Sequence, residues 1–441
     1  MAESRALHPG LGDVPAAAAV LRSWRQQGPA AARDTQQQLW DRQPCLRTDP
    51  LQQELAQRLA GEPGPRLLVD GLWFSRPYGG ITRVWEQILA TWALPGMVSE
   101  AAPVGLIERN SHLAQTDPFP WIQGTSVDPL DPAAVQALAR DNATHAGQWG
   151  AEVFLSSWIS VCGDRSPACP ELALVHDALP ERYGVAEPLR GLRRRWLKGS
   201  AAQLAVSADT ACDLETLLSR PRGQIAWCHP APGALFAEPV TGPEATRLWD
   251  DLRRRSGLRP PFVLLPATSA IGSYKNPELV AQALADPALD TLQLVLSGIA
   301  AAQRAQELEH RFSSLQRRCL AVGLTDLELA LVYRHALAVV LPSHAEGFGL
   351  PAVEAMAAGG TVLVADSRGL REAGGGAALR FGSRCPAELT RLLALLMGSE
   401  AAHYWQPVLQ RRRQHRLQHL HPDLLGVCLL LLARRLASER G

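Results

Sequence analysis

The sequence predicts an α/β protein built as two doubly wound, Rossmann-like domains. Three observations predict it. Short apolar runs alternate with helix-like stretches from about residue 66 to 235. A second such set runs from Phe262 to Val364. Between them, residues 237–260 hold Pro239, Gly242, Pro243 and an arginine-rich helix, and break the pattern. Strands alternating with helices form a parallel sheet with crossover helices, and such strands are covered on both faces. With 441 residues the chain is long enough for two cores.

The elements follow in order. Residues 1–60 are rich in Ala, Gln and Arg, with helical spacing over 52–59, and are expected as a helical extension of short helices, either packed on the first domain or partly mobile. The break Gly61-Glu62-Pro63-Gly64-Pro65 precedes a first buried strand, Leu67 to Asp70. Further strands are expected at 153–155, 172–175 and 203–206. The second domain starts at Phe262–Leu265 and continues at 292–296, 337–341 and 362–364. The expected divisions are 1–60, 61–240, 241–400 and 401–441. Residues 105–150 read as variable loops, and Leu424 to Leu432 as a buried helix.

Composition excludes several classes. The formal net charge is +1, so bulk charge argues against nucleic acid as a partner. Eight cysteines are scattered without a Cys-x-x-Cys pair, which suits reduced thiols in a cytoplasm better than a disulfide framework or a zinc site. Residues 1–22 lack a basic start followed by an unbroken apolar core, and no apolar run approaches a membrane span. His415, His419 and His421 are surrounded by arginines with no carboxylate partner, and no Asp-x-Asp stands out, so no metal or required divalent ion is expected.

The densest chemistry lies after the apolar run 336–341. Glu346-Gly347-Phe348-Gly349-Leu350-Pro351 reads as a glycine loop leading into a helix, with Pro351 at its start, Glu354 inside it and Gly359-Gly360 as its stop. Loop amides and a helix N-terminus suit a phosphate. Ionised carboxylates accept several hydrogen bonds and suit sugar hydroxyls. A nucleotide sugar carries both groups. Lys275, before Asn276-Pro277, reads as a point charge for a diphosphate, or else as a solvated lysine. Gly79-Gly80 reads as a turn or as a place of close ligand approach, and is not a dinucleotide fingerprint. His176-Asp177 ends an apolar strand, and Asp70 ends another.

At these residues the chain resembles glycosyltransferase family 4, the retaining GT-B transferases. The family's Glu-x7-Glu motif is matched by Ser343-His-Ala-Glu346-Gly-Phe-Gly-Leu-Pro-Ala-Val-Glu354-Ala-Met-Ala-Ala-Gly359. The resemblance covers roughly 66–400. It continues through 362–366 and Gly369 to Gly374, and more weakly through Gly79 to Arg83, Leu174 to Asp177 and Phe262 to Asn276.

The resemblance implies two domains facing across a cleft and a hexosyltransferase that uses a donor such as UDP- or GDP-hexose without a cofactor. Catalytic roles fall on Glu346 (the transferred sugar), Lys275 (the leaving diphosphate) and His176 (sugar or acceptor hydroxyl). Donor contacts fall on Lys275, Ser273, Gly79, Gly80, Glu354 (the ribose) and the backbone of Gly347, Phe348, Gly349 and Leu350. The acceptor would be a sugar, a glycan or a lipid-linked sugar. In the family's usual account the departing phosphate takes the acceptor proton.

The basic helix Arg190, Arg193, Arg194, Arg195, Lys198 is either a solvated face or a peripheral membrane contact, which would place the protein at the inner face of the membrane. One departure stands out: the residues before Lys275 are Gly272, Ser273 and Tyr274, with no second basic residue to clamp the diphosphate. Two other readings stay open. The absent clamp motivates a non-catalytic scaffold of the same fold that binds a nucleotide or a partner. A sugar-nucleotide epimerase of the same shape fits the motif less well.

Overall fold

Runs such as Leu67–Asp70, Phe262–Leu265 and Val362–Ala365 are buried at every position. That is the pattern of a strand covered on both faces by crossover helices. The structure is a computed structural model and describes residue 8 and residues 10–77, 79–98, 103–113, 119–164, 167–184, 187–238, 240–266, 270–398 and 404–439. The chain divides into two compact units, one of Ala231–Leu420 and one of Ala6–Pro230 with His421–Gly441.

The second of these units holds seven strands: β1 (Leu67–Asp70), β2 (Val104–Glu108), β3 (Trp121–Gln123), β4 (Val153–Ser156), β5 (Glu171–Val175), β6 (Ala202–Ala205) and β7 (Ala226–Trp227). All pairings are parallel, in the order β3-β2-β1-β4-β5-β6-β7. The chain steps outward from β1 to β3, then returns to the other side of β1 at β4. Loops after β1 and β4 therefore diverge, which leaves a crevice at the carboxyl ends of these strands.

The unit of Ala231–Leu420 repeats the scheme with β8 (Phe262–Leu265), β9 (Gln293–Ser297), β10 (Cys319–Val322), β11 (Ala338–Leu341), β12 (Val362–Ala365) and β13 (Leu379–Phe381). Its order is β10-β9-β8-β11-β12-β13, again all parallel. Here the switch point lies between β8 and β11.

Several expectations are corrected. Residues 105–150 are not mainly loop: they contain most of β2, all of β3 and the 18-residue helix Pro132–Trp149, capped by Asp131. Gly105 and Glu108 interrupt the apolar run of β2, and that hid it. The second sheet continues past β12 to β13 and includes β10, a strand with only one fully buried residue. The units divide at 230/231 and 420/421 rather than at 240/241 and 400/401. Helix Gln406–Gln418 thus belongs to the second sheet's unit, and only Leu424–Ser438 joins the first sheet.

Residues 1–60 are no separate extension. Helices Val14–Gln27, Pro29–Arg42 and Pro50–Ala60 belong to the first sheet's unit, and the final helix packs on Pro50–Ala60 and Gly80–Trp92. Asp423, fully buried, accepts hydrogen bonds from Arg25 Nε at 3.0 Å and Thr91 Oγ at 2.9 Å. Glu54, also buried, takes Arg58 Nε at 2.7 Å and Arg434 Nε at 2.8 Å. No described helix is long and apolar enough to cross a membrane.

Removing Glu54 leaves the Arg58 guanidinium buried without its counter-charge. Glu54→Ala is expected to lower unfolding free energy by about 3–5 kcal/mol. The double change Glu54→Leu, Arg58→Met is expected to lose much less. Urea unfolding of the two proteins checks this, and equal losses would contradict the buried-charge explanation.

Candidate functional site

Lys275 and Glu346 stand on the loops after β8 and β11, the two strands that flank the switch point. Backbone chemistry brings them together. Asn276 adopts a left-handed conformation (φ 54°) and starts helix Pro277–Leu284. Its side-chain amide donates to Pro342 O at 3.2 Å and Ser383 O at 2.9 Å. The His344 amide donates to Tyr274 O at 2.8 Å. With the two loops so stitched, Lys275 Nζ reaches both Glu346 oxygens, at 2.6 and 2.9 Å. Ser343 Oγ donates to Glu346 Oε1 at 2.6 Å.

This ion pair is open to solvent. The side chains are 24% exposed for Lys275 and 12% for Glu346. Ser273, two residues before the lysine, has a buried hydroxyl with no hydrogen-bond partner among the described residues. Of the expected phosphate loop, residues 267–269 lie outside the described residues.

The turn after Glu346 is fixed by space as well as by backbone conformation. Gly349 has φ 109°, and a Cβ there would lie 2.7 Å from Leu370 Cδ2. It is the N-cap of helix Leu350–Ala357, where Pro351 needs no amide partner. A Cβ on Gly369 would lie 2.3 Å from Glu346 O, so the start of helix Arg368–Gly374, after β12, packs directly on the Glu346 backbone. Phe348 and Leu350 are buried.

Glu354 differs from expectation. Its carboxylate is held under the helix start with 0% exposure, and the Tyr333 hydroxyl stands 3.5 Å from its Oε2. A ribose contact needs an opening there that this structure does not contain.

The remaining candidates belong to the other unit. Gly79 (φ 132°) and Gly80 are exposed at the start of helix Gly80–Trp92, with open space where a Cβ would be. His176 follows β5. Burial, and then the charge of Arg193, pushes its pKa down to about 3, so the imidazole is neutral near pH 7. Its Nε2 is buried without a hydrogen-bond partner.

Asp70 is fully buried. It pairs with Arg109, accepts from Ser160 Oγ, and has the Asn142 amide 3.5 Å away. Its carboxylate is a structural anchor below the switch point.

The basic helix Leu189–Gly199 is partly dismantled. Arg193 is 3% exposed and bonds Glu181 Oε1 at 2.7 Å and Asp177 O at 3.0 Å, while Arg195 donates to Gly163 O at 2.7 Å. Only Arg190, Arg194 and Lys198 of the five remain exposed. Among the described residues no group of three His, Cys, Asp or Glu could hold a metal ion.

Sequence reasoning missed Asn276 as the residue that stitches the loops. The Asn-Pro dipeptide at a helix start was the available signal.

Two parallel sheets with these switch points define the class, an α/β protein of GT-B fold. Solved structures of the same fold include WaaG, described as a glycosyltransferase involved in lipopolysaccharide biosynthesis, with a TM-score of 0.64, 14% identity and coverage of 82% of this chain and 98% of that one. Sucrose-phosphate synthase from Thermosynechococcus elongatus gives 0.63, 18%, 85% and 100%. HepE from Anabaena, solved with UDP-glucose, gives 0.59, 16%, 85% and 99%.

The sequence carries a family likeness over part of the chain. Residues 250–378, which include Lys275, Glu346 and Glu354, match the model of the family described as glycosyl transferases group 1. Curated relatives include the D-inositol 3-phosphate glycosyltransferase of Xylanimonas cellulosilytica, 30% identical over 179 residues, or 39% of this chain and 42% of that protein. The enzyme of the same name from Thermomonospora curvata is 36% identical over 141 residues, 28% of this chain and 32% of that protein. The match therefore spans well under half of either relative.

Two outcomes are expected. Gly369→Ala forces the loop off the Glu346 carbonyl and is expected to lower stability by about 1–3 kcal/mol, read by chemical unfolding; an unchanged midpoint would contradict the packing. His176 binds a proton near its ordinary pKa of 6.5 when unfolded but only near 3 when folded. Its contribution is therefore fully present above 6.5 and is lost as pH falls toward 3. The stability difference between wild type and His176→Gln is expected to shrink from pH 7.5 to pH 5, measured by urea midpoints. Parallel curves would contradict the shift.

Proposed function

We propose that the protein is a family 4 glycosyltransferase that moves a hexose from a nucleotide-diphosphate sugar to an acceptor hydroxyl with retention. The observation that carries this reading is the Lys275–Glu346 pair at the switch point of a sheet in a group 1 glycosyltransferase segment. In the free protein the two charges neutralise each other. A bound diphosphate competes for Lys275 and releases Glu346 to hold the sugar. Lys275 and the backbone amides near helix Leu350–Ala357 then stabilise charge that grows on the diphosphate as the glycosidic bond breaks. The departing phosphate accepts the acceptor proton, so no separate base is needed. Neutral His176 offers a hydrogen bond to a sugar or acceptor hydroxyl.

A UDP- or GDP-hexose donor fits the site, and the Anabaena neighbour's UDP-glucose supports the choice. No divalent ion is required in this scheme. The acceptor is a sugar, glycan or lipid-linked sugar. Arg190, Arg194 and Lys198 are the residues through which a peripheral contact with an anionic membrane would form.

The scaffold alternative, motivated by the absent basic partner before Lys275, also draws on the closed position of Glu354. Donor binding without transfer to any acceptor in a broad panel would support it.

The test separates the two charges. Lys275→Ala is expected to weaken UDP or GDP binding by roughly 10- to 100-fold, the range for a hydrogen bond to a charged group. Glu346→Ala is expected to keep nucleotide binding, since Lys275 is then unopposed, while donor turnover falls by roughly 100- to 1000-fold. Isothermal titration and donor hydrolysis read the two effects. Normal binding and turnover in both variants would remove the site assignment.

A further inference from the structure

Of the eight cysteines, four are buried: Cys162, Cys169, Cys228 and Cys428. They fall into two pairs in thiol contact, Cys162 with Cys169 and Cys228 with Cys428. The first contact is local, since the Ala168 amide already bonds Cys162 O at 2.7 Å. The second joins residues 200 positions apart, and no Cys-x-x-Cys spacing marks it.

The second pair sits where the chain crosses between units. The chain leaves the first sheet's unit after Pro230 and returns to it at His421. Cys228 stands just before the exit and Cys428 just after the return. Cys228 follows β7, and its amide donates at 2.9 Å to Ala205 O, at the end of β6. Cys428 lies in the first half of helix Leu424–Ser438, which packs on β4 and β6. Both side chains are 0% exposed. Otherwise the helix is held by apolar packing and by the bonds of Asp423 and Arg434 to Arg25, Thr91 and Glu54.

Burial, and then the hydrogen bond to Cys428, pushes the Cys228 thiol well above its usual range. The folded pair is therefore protonated and shielded. An oxidant meets it before the helix docks or when the helix opens. A bond between the sulfurs needs no added room, because they already touch.

We propose that Cys228 and Cys428 form a reversible disulfide that fastens the returning helix to the first sheet's unit, with a small-molecule disulfide such as glutathione disulfide as the oxidant. One thiolate attacks glutathione disulfide and releases a glutathione. The partner thiolate then attacks the mixed disulfide and releases the second. Both thiol protons and two electrons end on the two glutathione molecules. Native packing selects this pairing among those that eight cysteines allow. The closed loop contains the whole of the other unit, so the bond removes much of the entropy that an undocked helix gains. None of this depends on the glycosyltransferase reading.

The test refolds the reduced full chain from urea in glutathione buffers of increasing disulfide content, followed by alkylation and tryptic digestion without reduction. Cys228 and Cys428 fall in the peptides Gly223–Arg247 and Leu417–Arg434, each with a single cysteine. Their linked product is expected to exceed every other link to Cys428 and to vanish with dithiothreitol. Hydrogen exchange in helix Leu424–Ser438 is expected to be slower by roughly 30- to 900-fold in the oxidised protein, the span of a native disulfide. Cys428→Ala and Cys228→Ala are each expected to abolish that oxidant-dependent slowing, and two variants guard against one that fails to fold. Three results would overturn the proposal. Cys428 stays free or links equally to other cysteines, exchange is the same in both oxidation states, or a folded variant keeps the slowing.

Discussion

The site depends on one constraint, the stitching of the loop after β8 to the loop after β11. The Tyr274 carbonyl takes the His344 amide, and the Asn276 side chain takes the Pro342 carbonyl. These bonds hold a cation and a carboxylate 2.6 Å apart, where each would otherwise prefer full hydration. Partial exposure keeps the pair from paying the full desolvation penalty of a buried ion pair.

The two sheets use their switch points differently. In the second sheet the crevice carries a charge pair on a glycine turn. In the first, a closed polar anchor of Asp70 with Arg109, Ser160 and Asn142 lies at the ends of the strands. That anchor has no spare valence for a ligand. Its work is to hold the ends of β1, β2 and β4 in register so that the loops above them start from fixed points.

Much of the second sheet's site was legible because its constraints are local. Glu346, the glycines and Pro351 sit within a few residues, and each marks a turn, a cap or a charge by its type alone. The strands around them are continuous apolar runs, so period and flanks identified them. β2 and β13 were not legible, because Gly105, Glu108 and Arg380 interrupt their apolar pattern while neighbouring strands still supply the hydrogen bonds. The basic helix after β5 misled for a related reason. A run of arginines looks solvated until a distant Glu181 and the Gly163 carbonyl are folded against it.

The sequence by itself determined the α/β class, the glycine turn and the motif carboxylates, since these follow from residue type and short spacing. Only the tertiary structure decided which of those groups are reachable. It closed Glu354 beneath Tyr333, sealed Asp70 with an arginine 39 residues away, and joined Trp73 to Trp158 across 85 positions of chain. Burial and pairing between distant segments depend on how sheets and helices stack, and no local pattern of residues encodes that.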